Sequence, residues 1–238
     1  MVVETGLGVR GLHVKDSAEV LRRSLIFSGL SEAQVAALES VAAERTYRAG
    51  DYVFWEGDAP DRFYVVVRGR IKVVKHSSAG KDFIVAFFGP GEMFGEVAVF
   101  EGKPYPASAQ AATDTTVLGI KGSDFLGFLS RQPQVALAII NVLGGRLRDA
   151  QTRLKDFAAE RVEQRIARIL LMLFQKLGPS LPFTKQEIAE MAGTTSETAI
   201  RVMSRLRTGG VVRSMRGKIT VADAARLKLL AEGPPAAL

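Results

Sequence analysis

At 238 residues, with 47% apolar and 24% charged residues, the chain is globular and has room for two domains. It has no cysteine, which excludes disulfides, thiolate-held iron–sulfur clusters and thiol switching; with only His13 and His76 as imidazoles, a His/Cys metal cluster is excluded too. The net charge is +7, and from Leu170 onward ten Lys+Arg stand against five Asp+Glu, a basic last third suited to phosphate.

Residues 1–16 read as a loose N-terminal arm with no secretory pattern. Ser17 to Ala43 carries a helical pattern in two pieces, broken at Gly29 and restarted at Ser31. From Arg45 the chain is rich in Val, Ile, Phe and Tyr and is cut by glycines, predicting short strands of a sandwich or barrel up to Ile120. Phe63–Val67 and Ile71–Val74, about Arg68-Gly69-Arg70, are expected to form a hairpin. Phe94 to Ala111 joins a Gly-Glu pair to a Gly/Pro-rich loop and a strand of small residues. This segment suits an anion or polar ligand, or is a plain loop in a β-roll.

Ser123–Leu129 predicts a short helix, and a long one starts at Pro133. Ile140, Leu143, Leu147, Ala150, Leu154 and Phe157 follow each other in steps of three and four, an a/d seam that suits a second copy of the same helix better than burial in a broad core, with packing inside the chain as the alternative. A hinge is expected near 158–162, then a helix over 161–176. No apolar run is long enough to span a bilayer, and the protein is expected in the cytoplasm.

Thr184 and Glu187 have capping-box spacing, so a helix should begin at Lys185 and bury Ile188, Ala189 and Ala192. Gly193 ends it, and Thr194, Thr195 and Ser196 cap a second helix that buries Ala199, Val202, Met203 and Leu206. This is a helix-turn-helix whose second helix fits a DNA major groove, with Thr195, Ser196, Glu197, Ile200, Arg201 and Ser204 spared from packing. After Gly210, two short strands about Arg216-Gly217 form a wing on which Arg213, Arg216 and Lys218 can grip phosphate. A last helix and a tail follow.

This order of elements resembles the cyclic-AMP receptor / fumarate–nitrate regulator (Crp/Fnr) family of bacterial transcription factors. The marks are FSGLSEAQ, RAGDYVFWEGD, VVRGRIKV, Phe94-Gly95-Glu96, TKQEIAEMAG and SETAIR. The resemblance implies an α+β protein: a β-roll sensor like the cyclic-nucleotide-binding jelly roll with flanking helices (17–132), a dimerisation helix and hinge (133–160), and a winged helix-turn-helix (161–238). It implies no enzyme but a homodimer on a near-palindromic operator, with RNA polymerase as a further partner and no membrane. Glu197 and Arg201 match the family's base readers, joined here by Ser196 and Ile200, while Lys185, Gln186 and Thr195 with Arg213 and Lys218 would hold phosphate.

The effector pocket implied by the resemblance comprises Phe94, Gly95, Glu96, Ala107, Ser108 and Ala109, with Ala150 and Gln151 from the long helix. Cyclic-AMP binders place an arginine where this chain has Ala107, and a Thr-Ser pair at Ala150-Gln151. A methyl group cannot stand in for a guanidinium on phosphate, which argues against cyclic AMP. A haem-based nitric oxide or carbon monoxide sensor would need His13 or His76 on iron. A β-roll sensor module that binds no DNA is the competing reading.

Overall fold

The computed structural model describes residues 14–77, 82–159, 161–215 and 217–232. They fall into two compact units, one from Met1–Lys75 and Ala86–Gly145, the other from His76–Val85 and Arg146–Leu238. His13 and the rest of the expected arm up to it, Glu160 in the hinge and Arg216 in the wing turn lie outside the described residues, as does the side chain of Phe157.

In the first unit, α1 (Val14–Arg23) already includes three residues expected in the arm. It stops well before Gly29. The Ser24 hydroxyl donates to the Gly91 carbonyl at 2.7 Å and accepts the Ile26 N–H at 3.3 Å, drawing the chain out of the helix. α2 (Glu32–Ser40) opens on a reciprocal capping box between Ser31 and Gln34. It too ends earlier than its pattern suggests, because Ala42 and Ala43 already pair with Ile120 and Gly119 in a sheet.

Eight strands follow among the described residues: β1 (Ala42–Tyr47), β2 (Tyr52–Phe54), β3 (Arg62–Arg68), β4 (Ile71–His76), β5 (Asp82–Phe88), β6 (Met93–Phe94), β7 (Ser108–Ala111) and β8 (Thr115–Lys121). They make two sheets, ordered β1-β8-β3-β6 and β2-β7-β4-β5. The hairpin expected about Gly69 does not form, because β3 and β4 belong to different sheets. β3 has no free edge to offer β4, being bonded to β8 on one side and β6 on the other. Gly69 instead carries the chain from sheet to sheet at φ +86, so close to the Asp114–Thr115 backbone that a Cβ would lie 2.4 Å from the Asp114 carbonyl oxygen.

β3 is apolar on both faces. Phe63, Val65 and Val67 join Leu21, Phe27 and Leu38 in one core, completed by Phe125 of α4 (Gly122–Arg131) and by Val135 and Ile139 of α5 (Pro133–Ala159). Tyr64 and Val66 point the other way, into a second core with Phe54, Phe88, Phe94, Tyr105 and Ala109. The period-two alternation thus sends one strand's side chains into two cores.

Besides His76–Val85, the second unit holds the rest of α5, then α6 (Val162–Leu177), β9 (Ser180–Leu181), α7 (Lys185–Met191), α8 (Ser196–Thr208), β10 (Val212–Met215), β11 (Lys218–Val221) and α9 (Ala224–Glu232). Its core draws Ile166, Leu170 and Leu173 together with Ile188, Ala199, Met203 and Leu227 at helical spacing. The expected wing is β10–β11, with Met215 opposite Lys218. Pairing of β9 with β11 through Leu181 and Ile219 makes it three-stranded, a short addition that two residues of sequence do not announce.

Candidate nucleic-acid interface

The Thr184 side chain accepts the Glu187 N–H at 3.1 Å while the Glu187 carboxylate accepts the Thr184 N–H at 2.7 Å, which fixes the start of α7. Gly193 takes a left-handed conformation at φ +58, and Thr194 N–H returns to the Ala189 carbonyl at 3.0 Å, closing the turn. Thr195 caps α8 by accepting the Thr198 N–H at 3.3 Å. Ala199, Val202, Met203 and Leu206 are buried, so the opposite face, with Glu197, Ile200, Arg201 and Ser204 at i, i+3, i+4 and i+7, is the one left to solvent.

That face is ordered by its own hydrogen bonds. Arg201 donates to the Thr198 hydroxyl at 3.2 Å, and Thr198 is 3.1 Å from the Thr195 hydroxyl. The Glu197 carboxyl is held below its ordinary range by its own backbone N–H, then by the Thr195 side chain and the Arg201 charge, so it stays an acceptor. Thr195, Gln186, Arg213 and Lys218 are exposed, and Lys185 and Ser196 are half-buried; Gln186 donates to Glu190 at 2.9 Å. Sequence reasoning missed Thr198 as the support of Arg201, although the Thr195-x-x-Thr198-x-x-Arg201 spacing signals it. It also missed Arg165, which donates to the Ala192 carbonyl at 3.1 Å and ties α6 to the turn, and the Arg205–Glu163 pair at 3.4 Å between α8 and α6.

In the first unit, Phe94, Gly95 and Glu96 sit where β6 enters α3 (Glu96–Glu101), and Ala107, Ser108 and Ala109 enter β7. All but Gly95 are buried. The Ser108 hydroxyl accepts the Glu56 N–H at 2.9 Å. Phe54 stacks on Tyr105 at 3.7 Å and 10°, Tyr64 on Phe94 at 5.3 Å, and Phe88 lies 5.8 Å from Phe94. A Cβ on Gly95 would meet the Phe54 ring at 3.1 Å and the Tyr105 ring at 3.3 Å. The Tyr105 hydroxyl donates to the Arg62 carbonyl, and burial raises the hydroxyls of Tyr47, Tyr64 and Tyr105 above the ordinary tyrosine range.

Two family descriptions match the chain: a cyclic nucleotide-binding domain over residues 44–132 and a Crp-like helix-turn-helix domain over 164–230. The cyclic AMP receptor protein of Thermus thermophilus is 35% identical over 214 residues, covering 90% of this chain and 99% of that protein. The chain belongs to the Crp/Fnr family of transcription regulators. Among solved structures, FixK2 of Bradyrhizobium japonicum matches with a TM-score of 0.74 at 27% identity, over 82% of this chain and all of that one. The catabolite activator protein of T. thermophilus matches at 0.53 and 34%, over 88% and 99%.

This Crp/Fnr chain is a transcription regulator, not an enzyme, and its helix-turn-helix is a DNA-binding one. Along α5, Ile140, Leu147 and Leu154 are 62%, 60% and 71% exposed, one per heptad, beside exposed Ala150, while Leu143 packs on the first unit's core. Ala150 and Gln151, both exposed, belong to the second unit and the other six candidate pocket residues to the first. His76 meets Asp82 at 2.7 Å where β4 and β5 meet their connection. Among the described residues no cluster of three metal-ligating side chains occurs, and no helix is long and apolar enough to cross a membrane.

Proposed function

We propose that this regulator works as a homodimer that lays α8 in the major groove of each half of a near-palindromic operator, under a signal other than cyclic AMP. The observation that carries the reading is the division of α8: one face is sealed in the core, and the other presents Glu197, Ile200 and Arg201, flanked by Ser196, to solvent. Arg201 suits guanine O6 and N7, and ionised Glu197 suits a cytosine amino group. Lys185, Gln186 and Thr195 at the helix starts and Arg213 and Lys218 on the wing suit phosphate, which sets register without reading sequence.

Dimerisation is supported by the uncovered stripe of α5. A leucine or isoleucine at every seventh position, left in water, gains roughly 1.5–3 kcal/mol when buried. The departure from cyclic AMP is supported by Ala107, a methyl where a cyclic phosphate needs a charged fork, and by the aromatic stack that fills the roll beside it.

The test is in-vitro selection of DNA by the full chain, followed by mobility shifts at fixed salt and sedimentation of the wild type and Leu147→Lys. A selected inverted repeat, a wild-type dimer, and a monomeric Leu147→Lys without specific binding are expected. A full chain that selects no sequence would leave only a sensor module.

A further inference from the structure

Ile200 is out of place on an otherwise polar face. It is 47% exposed, one turn after Glu197 and next to Arg201, on a helix whose other large apolar side chains are buried in the core. An exposed isoleucine alone is ordinary on a protein surface. Its position makes it informative. Residues at i, i+3, i+4 and i+7 of α8 share one face, so whatever Glu197 and Arg201 meet, Ile200 meets between them. The Arg201 guanidinium is tethered to the Thr198 hydroxyl, toward the start of the helix, and the Glu197 carboxylate is drawn to the capping groups there. Both polar groups are thereby held to the N-terminal side of Ile200.

Resting on the reading of α8 as the groove helix, we infer that Ile200 is a specificity-determining residue that selects thymine by its C5 methyl. Phosphates offer an apolar branched side chain nothing but desolvation, and the polar edges of guanine, cytosine and adenine lose hydrogen bonds to water against it. The thymine methyl is the one apolar group that the major-groove code offers. Ile200 therefore favours A·T or T·A at the pair lying between those addressed by Glu197 and Arg201, with the methyl turned to the helix. The discrimination is against the loss of a methyl group, not of a hydrogen bond, so it is modest and independent of salt, unlike a phosphate contact.

The experiment takes the operator selected by the full chain and replaces each thymine singly by deoxyuridine, which removes the methyl and leaves every hydrogen-bonding group. Binding should weaken about fourfold at one thymine in each half-site, the ratio for one buried methyl-sized group. It should be unchanged at the others. Ile200→Ala, at an exposed helix position where alanine is the better helix former, should bind thymine and deoxyuridine operators equally at that site. Deoxyuridine tolerated everywhere by the wild type, or a sensitivity that persists in Ile200→Ala, would overturn the inference while leaving DNA reading intact. Failure to select any operator would overturn both.

Discussion

The two units treat their candidate functional positions in opposite ways. In the second, Glu197, Ile200 and Arg201 stand outside the core, so their identities are free of packing and can change with the operator. In the first, Glu96, Ala107, Ser108 and Ala109 lie inside a roll where Phe54, Tyr64, Phe94 and Tyr105 touch one another, and each identity there is also a packing choice. A reader of DNA can be re-aimed by one surface substitution. A sensor built into a core can be re-aimed only by repacking it.

The largest expected effect tests that contrast from the inside. Phe54→Ala removes the ring shared by Tyr105, Tyr64 and Phe94, and should destabilise the first unit by about 3–5 kcal/mol. Urea unfolding followed by near-ultraviolet circular dichroism of the aromatic cluster measures it. A loss below about 1 kcal/mol would mean that the stack is loose enough to admit a ligand. From the outside, Arg201→Ala should leave folding intact but cost about 1–3 kcal/mol of operator affinity and relax the preference at one base pair. Competition binding against single-base operator variants shows both. If the preference survives, another side chain reads that pair.

The capping box of α7 was legible because it is local: Thr184 with Glu187 needs only a spacing of three, and both reciprocal hydrogen bonds are present. Thr184→Ala should accordingly lower the second unit's stability by about 1 kcal/mol, seen as a shift in its urea midpoint at unchanged slope. The burial of Val202, Met203 and Leu206 followed from periodicity in the same way. What failed was long-range. Phe63–Val67 and Ile71–Val74 have hairpin spacing, yet the edges that β3 needs are taken by residues of β6 and β8, about 30 to 60 positions away in sequence. The aromatic filling of the roll was invisible for the same reason, since Phe54, Phe94 and Tyr105 come from three separate segments.

That filling also sets a pH response particular to the first unit. Tyr47, Tyr64 and Tyr105 keep their protons above the range where an unfolded tyrosine, near pH 10, loses its own. Their folded pKa values are raised, so the stability they contribute is complete below about pH 10 and is lost as pH rises through the folded values. Tyrosinate absorbance should therefore appear together with loss of the aromatic circular dichroism, and Tyr64→Phe should shallow that alkaline loss. Tyrosinate formation in a still-folded roll would show that water reaches the stack.

The smallest expected effect is none at all, and it bears directly on the contrast. A ligand present at a hundred times its dissociation constant stabilises its fold by about 2.7 kcal/mol, a shift that melting easily detects. Cyclic AMP at millimolar concentration should leave the melting temperature of this chain unchanged. The phosphate would meet the Ala107 methyl in place of a charged donor, forgoing a contact worth about 1.5–3 kcal/mol. Rings entering the roll at the stack would have to part Tyr105 from Phe54 and break the hydroxyl's bond to the Arg62 carbonyl. A saturable rise in melting temperature would mean that the stack opens at little cost. The filled roll would then be one of two packings of similar free energy, and the interior as adaptable as the exposed face of α8.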